Sequence, residues 1–218
     1  MLKIKISLLL NIVIIIFVAF ATICMMNGIY FMGNELLLTE TGPGLFKFFT
    51  VQSNVLMGIM ALVFALVEIL VLTKKVKEIH KDLYVLKMVF TVGVVLTFLT
   101  TALFLAPVST HGYFALFKNA NLFYHFLIPL LSAITFIFFE KTDKIKFKYV
   151  CIGVVPMLLY GIYYTINIFS HIVDGKVLPE YDWYGFAAGG MYSIFISFPI
   201  MLIATYLISF TLWKFNKI

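Results

Sequence analysis

The chain has 218 residues, of which 63% are hydrophobic and only 12% charged, with a mean hydropathy of +1.07. Soluble domains carry about 25% charged residues, so this chain cannot cover a water-facing surface, and a soluble enzyme, a nucleic-acid binder and a disordered chain are excluded as whole-chain readings. The net charge is +6, but every basic residue is Lys, which removes the bidentate Arg fork suited to phosphate or carboxylate recognition.

Six apolar stretches are long enough to span a bilayer at about 20 residues each. They lie near 7–30, 46–72, 84–106, 121–140, 149–169 and 188–213. The reading is an all-α polytopic membrane protein, with six transmembrane helices in one bundle and a single domain over 1–218. The first span has Lys3, Lys5 and an Ala19-Phe20-Ala21 stretch that resembles a signal cleavage site. The apolar run continues to Phe31, so an uncleaved helix is expected. The second span opens with Thr50, Gln52, Ser53 and Asn54 and carries Glu68 near its far end. The third starts near Lys87 and closes at Thr100 and Thr101. The fourth begins with Asn121 and His125 and contains Pro129 and Ser132. The fifth contains Pro156 and ends with Tyr160, Tyr163, Tyr164, Thr165 and Asn167. The loop after it holds His171, Asp174, Glu180 and Asp182, without metal-ligand spacing, and Tyr181, Trp183 and Tyr184 suggest an interfacial aromatic belt. The sixth begins with Tyr192 and Ser193 and contains Pro199. Cys24 and Cys151 lie inside apolar runs and show no redox or zinc spacing.

Lysine placement sets the expected orientation. Thirteen lysines fall at the termini and in or beside the second and fourth connections, and three, Lys47, Lys118 and Lys176, in the others. The positive-inside rule then places both termini in the cytoplasm. The all-Lys, Phe- and Ile-rich composition points to a bacterial cell membrane.

Intramembrane polar groups are costly and call for a reason. With this orientation, those of spans two to six gather in the outer half of the membrane, which implies one polar pocket there. Thr50, Ser53 and Asn54 stand at i, i+3 and i+4 and share a face. Asn121, His125, Pro129 and Ser132 do the same on span four. Thr50 and His125 lie at matching depth, so facing helices would pair a hydroxyl with an imidazole, the minimum for an activated oxygen nucleophile. Asn54, Asn121 or Asn167 would donate to an oxyanion. Tyr160 and Tyr164 would line the cavity.

Phe46-Lys-Phe-Phe-Thr50 resembles the start of the second helix of the androgen-induced protein family, which includes the androgen-dependent regulator of tissue factor pathway inhibitor. Asn121-Leu-Phe-Tyr-His125-Phe-Leu-Ile-Pro129, with Glu140 beyond, is similar to that family's histidine helix. Pro156, Tyr160 and the Gly175-to-Pro179 loop resemble its fifth span and following loop. The resemblance runs from about 46 to 200. It implies a threonine hydrolase of fatty acid esters of hydroxy fatty acids, with Thr50 as nucleophile and His125 as base. The expected activity is therefore hydrolysis of a lipid ester entering from the bilayer, with no cofactor or metal. The alternative is a small-molecule transporter or a non-catalytic lipid- or ligand-binding membrane protein, with His125 as a proton-linked switch.

Overall fold

The computed structural model describes residues 1–33, 40–187 and 189–217. Among them, six helices are long and apolar enough to cross a membrane: α1 (Leu2–Met26), α2 (Phe49–Leu72), α3 (Lys81–Val108), α4 (Ala120–Phe139), α5 (Phe147–Ser170) and α6 (Ile194–Lys217). The chain is an integral, all-α membrane protein. Without water inside a bilayer, each segment satisfies its own backbone by helix formation. A two-residue hairpin between α5 and α6, β1 (Ile172–Val173) and β2 (Lys176–Val177), pairs Ile172 with Val177. Asp174 and Gly175 make its turn with positive φ.

α3 is the central helix. Half of its most apolar stretch is buried, against 22% for α6, and it packs on α2, α4, α5 and α6. α1 lies along α2 and closes on α4. Gly58 permits the α1–α2 approach, since a Cβ there would stand 2.7 Å from a Val18 methyl carbon. One core cluster gathers Phe49, Met88, Phe136, Met157, Tyr160 and Tyr164 between α2 to α6. A second gathers Ile14, Met25, Met57, Tyr124 and Ile128 between α1, α2 and α4.

Two of the helices contain π-type turns, in which backbone N–H groups reach back five residues. They cover Thr101–Leu105 in α3, and Phe123–Leu127 and Thr135–Phe139 in α4. Such turns arise where regular hydrogen bonding is disturbed and recur at functional sites. Pro129 lies just beyond the first of the two in α4. α5 opens as a 3₁₀ segment over Phe147–Val154 and becomes α-helical at Val155, with Pro156 in that first turn. Pro199 lies inside α6.

The sixth helix begins at Ile194, six residues later than the sequence suggests, because Gly190 with φ +104 cannot continue a right-handed helix. The first starts at Leu2 and stops at Met26, ahead of Gly28 with φ +63. The lysine-rich connections and both termini lie at one end. Asn216 of α6 donates to the carbonyls of Phe136 and Glu140 at 2.6 and 2.9 Å, and Lys144 pairs with Glu78 at 2.9 Å.

Candidate functional site

Thr50 sits in the first turn of α2, at the end away from the lysine-rich loops. The first N–H groups of a helix have no intrahelical partner. The Thr50 N–H donates to the Tyr184 hydroxyl at 3.5 Å, and the Thr50 hydroxyl also lies against that phenol. Burial pushes the Tyr184 phenol above its ordinary range, so it stays protonated and able to donate. Thr50 lines a narrow cavity with Thr97, Thr100 and Thr101 of α3, Tyr160 of α5, and Tyr184 and Phe186 of the last loop. The room for a water-sized occupant is about 30 Å³, enough for a water molecule or two.

The loop after α5 closes this cavity. Tyr160 donates to the Lys47 carbonyl at 2.7 Å and accepts from the Trp183 indole at 3.0 Å. Tyr164 donates to Asp182 and accepts the Tyr184 N–H at 3.2 Å. The other Asp182 oxygen takes the Ala187 N–H at 2.9 Å. Lys47 lies over the Phe48 and Trp183 rings. Trp183 and Tyr184 are therefore half-buried members of the site.

Beside the cavity, Phe49 and Tyr160 also wall an apolar cleft of about 490 Å³ between α2, α3 and α5. Its other walls include Ser53, Leu56, Phe90, Gly93 and Leu159. Its volume and lining suit a hydrocarbon chain.

His125 lies within the π-type turn of α4 and is 8% exposed. Its Nδ1 stands 2.7 Å from the Leu116 carbonyl. A carbonyl only accepts, so Nδ1 carries the hydrogen and the Nε2 of the neutral ring keeps its lone pair. The ring edge meets Phe117. On that side of the molecule a second apolar cleft, about 560 Å³, is lined by Phe98, Ala102, Tyr113, Phe114, Leu122 and Phe126 among others.

Asn54 joins the two regions. Its amide donates to the Thr50 carbonyl at 2.8 Å and to the Tyr124 carbonyl at 3.2 Å. The turn that carries Thr50 is thereby bound to the turn that carries His125. The side chains themselves find different partners: among the described residues, no hydrogen bond joins Thr50 to His125.

The remaining expected residues divide. Ser53 donates to the Thr50 carbonyl and bonds Thr97, each at 3.2 Å, and lines the apolar cleft. Tyr160 lines the cavity, whereas Tyr164 is not among its lining residues and instead holds the lid loop through Asp182 and Tyr184. Asn121 is buried, its Oδ1 without a hydrogen-bond partner among the described residues, and lines a separate cavity with Cys24, Met25 and Asn119. Asn167 donates to the Tyr181 carbonyl at 3.0 Å and anchors the lid loop. An oxyanion role for the three asparagines needs correction in one respect. Both amide hydrogens of Asn54 are committed to carbonyls, Asn121 faces another cavity, and Asn167 holds the loop. At this end of α2 the Thr50 N–H meets the Tyr184 hydroxyl, a pair of donor groups that a reading of side chains by depth overlooks.

The sequence reading also misses a cluster at the lysine-rich end, where Ser7, Asn11, Glu68, Lys87 and Glu140 are all buried. Among the described residues, no group of three or more His, Cys, Asp or Glu side chains could hold a metal ion. No protein-family model, curated protein or solved structure matches this chain.

Proposed function

We propose that the chain is an intramembrane lipid-ester hydrolase in which Thr50 attacks the acyl carbonyl and His125 is the general base. The observation that carries this reading is the arrangement around Asn54. A hydroxyl residue at a helix N-terminus, next to a cleft sized for a hydrocarbon chain, is bound through one amide to the turn of a neutral histidine with a free Nε2. The resemblance of the Phe46–Thr50 and Asn121–Pro129 segments to the androgen-induced protein family supports the same pair.

In this scheme Thr50 Oγ1 forms a bond to the carbonyl carbon as its proton passes to His125 Nε2, directly or through one water. The first-turn N–H of Thr50 and the Tyr184 hydroxyl stabilise the oxyanion, where the positive end of the helix dipole adds to them. The imidazolium then protonates the leaving alkoxide. Water, deprotonated by the same ring, releases the acyl group from Thr50. Reaction requires the Thr50 hydroxyl to leave Tyr184 and engage His125 Nε2, directly or through water. The proposed orientation, with both termini in the cytoplasm, puts the site in the outer half of a bacterial cell membrane.

The test is ester hydrolysis by the purified full chain in detergent, with a fluorophosphonate probe as a readout of nucleophile reactivity. Thr50→Ala should abolish turnover and labelling, and His125→Ala should lower turnover by about 10²–10⁴-fold. Both variants should elute and unfold like the parent. A parent chain that is inert to all ester classes and unlabelled would favour a binding or transport role. Turnover that survives both substitutions would place the chemistry elsewhere.

A further inference from the structure

The cluster at the lysine-rich end joins four helices. Ser7 and Asn11 stand one turn apart on α1, Glu68 on α2, Lys87 on α3, and Glu140 directly after α4. None is more than 3% exposed. Lys87 Nζ bonds Asn11 Oδ1 and pairs with Glu140 Oε1 at 3.1 Å, over the face of Phe64. Glu140 Oε1 also receives the Ser7 hydroxyl at 3.2 Å and the Asn11 amide at 3.0 Å. Glu68 Oε2 receives the same amide at 3.2 Å, and Ser7 lies close to Glu68 as well. Glu140 Oε2 is buried and finds no hydrogen-bond partner among the described residues.

Two features of this arrangement point to a missing hydrogen. The first is charge. Two carboxylates face one ammonium, which would leave a net negative charge in a low-dielectric interior, where an uncompensated ion is strongly disfavoured. The second is donor supply. The Asn11 amide has two hydrogens but stands within 3.0–3.3 Å of three acceptors, on Ser7, Glu68 and Glu140. Glu140 takes the ammonium and two further donors on one oxygen, so it is the better anion. Glu68 has no ion-pair partner among the described residues.

We propose that this cluster is a proton-binding site in which Glu68 and Glu140 together hold one proton, resident on Glu68, and Lys87 neutralises the other carboxylate. The surrounding titratable groups do not alter the count. Tyr84 of α3 lies near both carboxylates and is neutral as a phenol. Glu78 in the α2–α3 connection is engaged by Lys144. Lys3, Lys5, Lys81 and Lys141 are exposed at the surface. From α6, Asn216 offers only its amide, to the Glu140 backbone carbonyl. Protonated, the cluster is neutral and ties α1 to α2, α3 and α4. When the proton leaves, one unbalanced negative charge sits between those helices and loosens them, so proton occupancy controls how tightly α1 is held.

The charge count gives a stoichiometry that infrared spectroscopy can read, using the full chain with ¹³C-labelled glutamate in lipid nanodiscs at neutral pH. The parent should show one protonated glutamate per chain. Glu68→Gln and Glu140→Gln should each show none, because the remaining carboxylate pairs with Lys87. Lys87→Met should show two. Glu68→Gln copies the shape of a protonated carboxyl, so it should fold as the parent does, and its melting temperature should lose the alkaline fall expected of the parent. Fully ionised glutamates in the parent would overturn the proposal, as would a protonated band unchanged in both Gln variants. A band that shrinks as sodium is raised at constant pH would assign the site to a metal cation and also overturn it.

Discussion

Replacing Asn54 with Leu tests the link between the two halves of the candidate site. Pro129 has no N–H, and the π-type turn hands the Ile128 N–H to the Phe123 carbonyl. The Tyr124 carbonyl is therefore left without a helical donor, and the Asn54 amide supplies one at 3.2 Å. In the Leu variant that buried carbonyl has no partner, which costs about 1–3 kcal/mol in a protein interior. Interhelical hydrogen bonds in membranes average nearer 0.6 kcal/mol, with a maximum of about 1.7. Leu also removes the unpartnered Asn54 Oδ1, which offsets part of the loss. The lost bond to the Thr50 carbonyl matters less, because the Ser53 hydroxyl also serves that oxygen. The expected destabilisation is about 1 kcal/mol, read as a shift in reversible unfolding when sodium dodecyl sulfate is titrated into mixed micelles. A second substitution makes the reasoning specific. Pro129→Ala restores an N–H five residues beyond Tyr124, in the register that the π-type turn already uses. In that background Asn54→Leu should cost little, a coupling of about 1 kcal/mol between the two positions. If Asn54→Leu is as costly in the Pro129→Ala background as in the parent, the capping argument is refuted.

Two further outcomes rest on contacts away from the site. Gly58→Ala places a methyl 2.7 Å from a Val18 methyl carbon and should destabilise the α1–α2 contact by about 1–3 kcal/mol, the usual cost of overpacking. An unfolding transition unmoved by that substitution would show that α1 is loosely held. At the lysine-rich end, the Lys144 ammonium beside Glu78 holds its carboxyl below the usual carboxylate range. The contribution of that pair is therefore present above the unfolded-state value of about 4.3 and is lost as pH falls through the lower folded value. Lys144→Met should return Glu78 to ordinary titration in a carboxyl carbon NMR experiment, and an unchanged titration would remove Lys144 as the cause.

Depth was legible in the amino-acid sequence, and facing was not. A polar residue in an apolar run declares its distance from the span's end by counting. Thr50, Ser53, Thr101 and His125 do share one end of the bundle. Facing requires a constant helical phase, and the three π-type turns break it. Each adds about one residue to a turn, rotating the rest of the helix by about 100°. Extrapolating one face through Asn121, His125 and Pro129 therefore hides that Asn121 opens onto a cavity with Cys24 and Met25, while His125 turns to Leu116. The lid was illegible for another reason. Asp182, Trp183 and Tyr184 acquire their roles only when Tyr160 and Tyr164 of α5 reach them, and no periodicity encodes a loop folding back on its own helix.

The buried charge cluster shows the limit from the other side. Glu68 and Lys87 each lie four to six residues inside a helix end, where a long side chain is expected to reach the headgroups. That expectation is reasonable for either residue alone. It fails because α4 ends on a π-type turn directly before Glu140, and because Ser7 and Asn11 stand one turn apart on an otherwise apolar α1. That pair was the available signal, since a polar stripe in a span needs partners. Helices on both sides of α1 supply them, so the charges turn inward. α1 is thereby held by polar contacts at the lysine-rich end and, at the other, by Tyr124, whose hydroxyl shares a hydrogen bond with that of Thr22. Tyr124 precedes His125 and offers its carbonyl to Asn54. The helix that closes the charge cluster is thus the helix that braces the histidine turn. A change in proton occupancy at one end has a mechanical path to the candidate site at the other, and Glu68→Gln should flatten the pH dependence of any Thr50-dependent turnover.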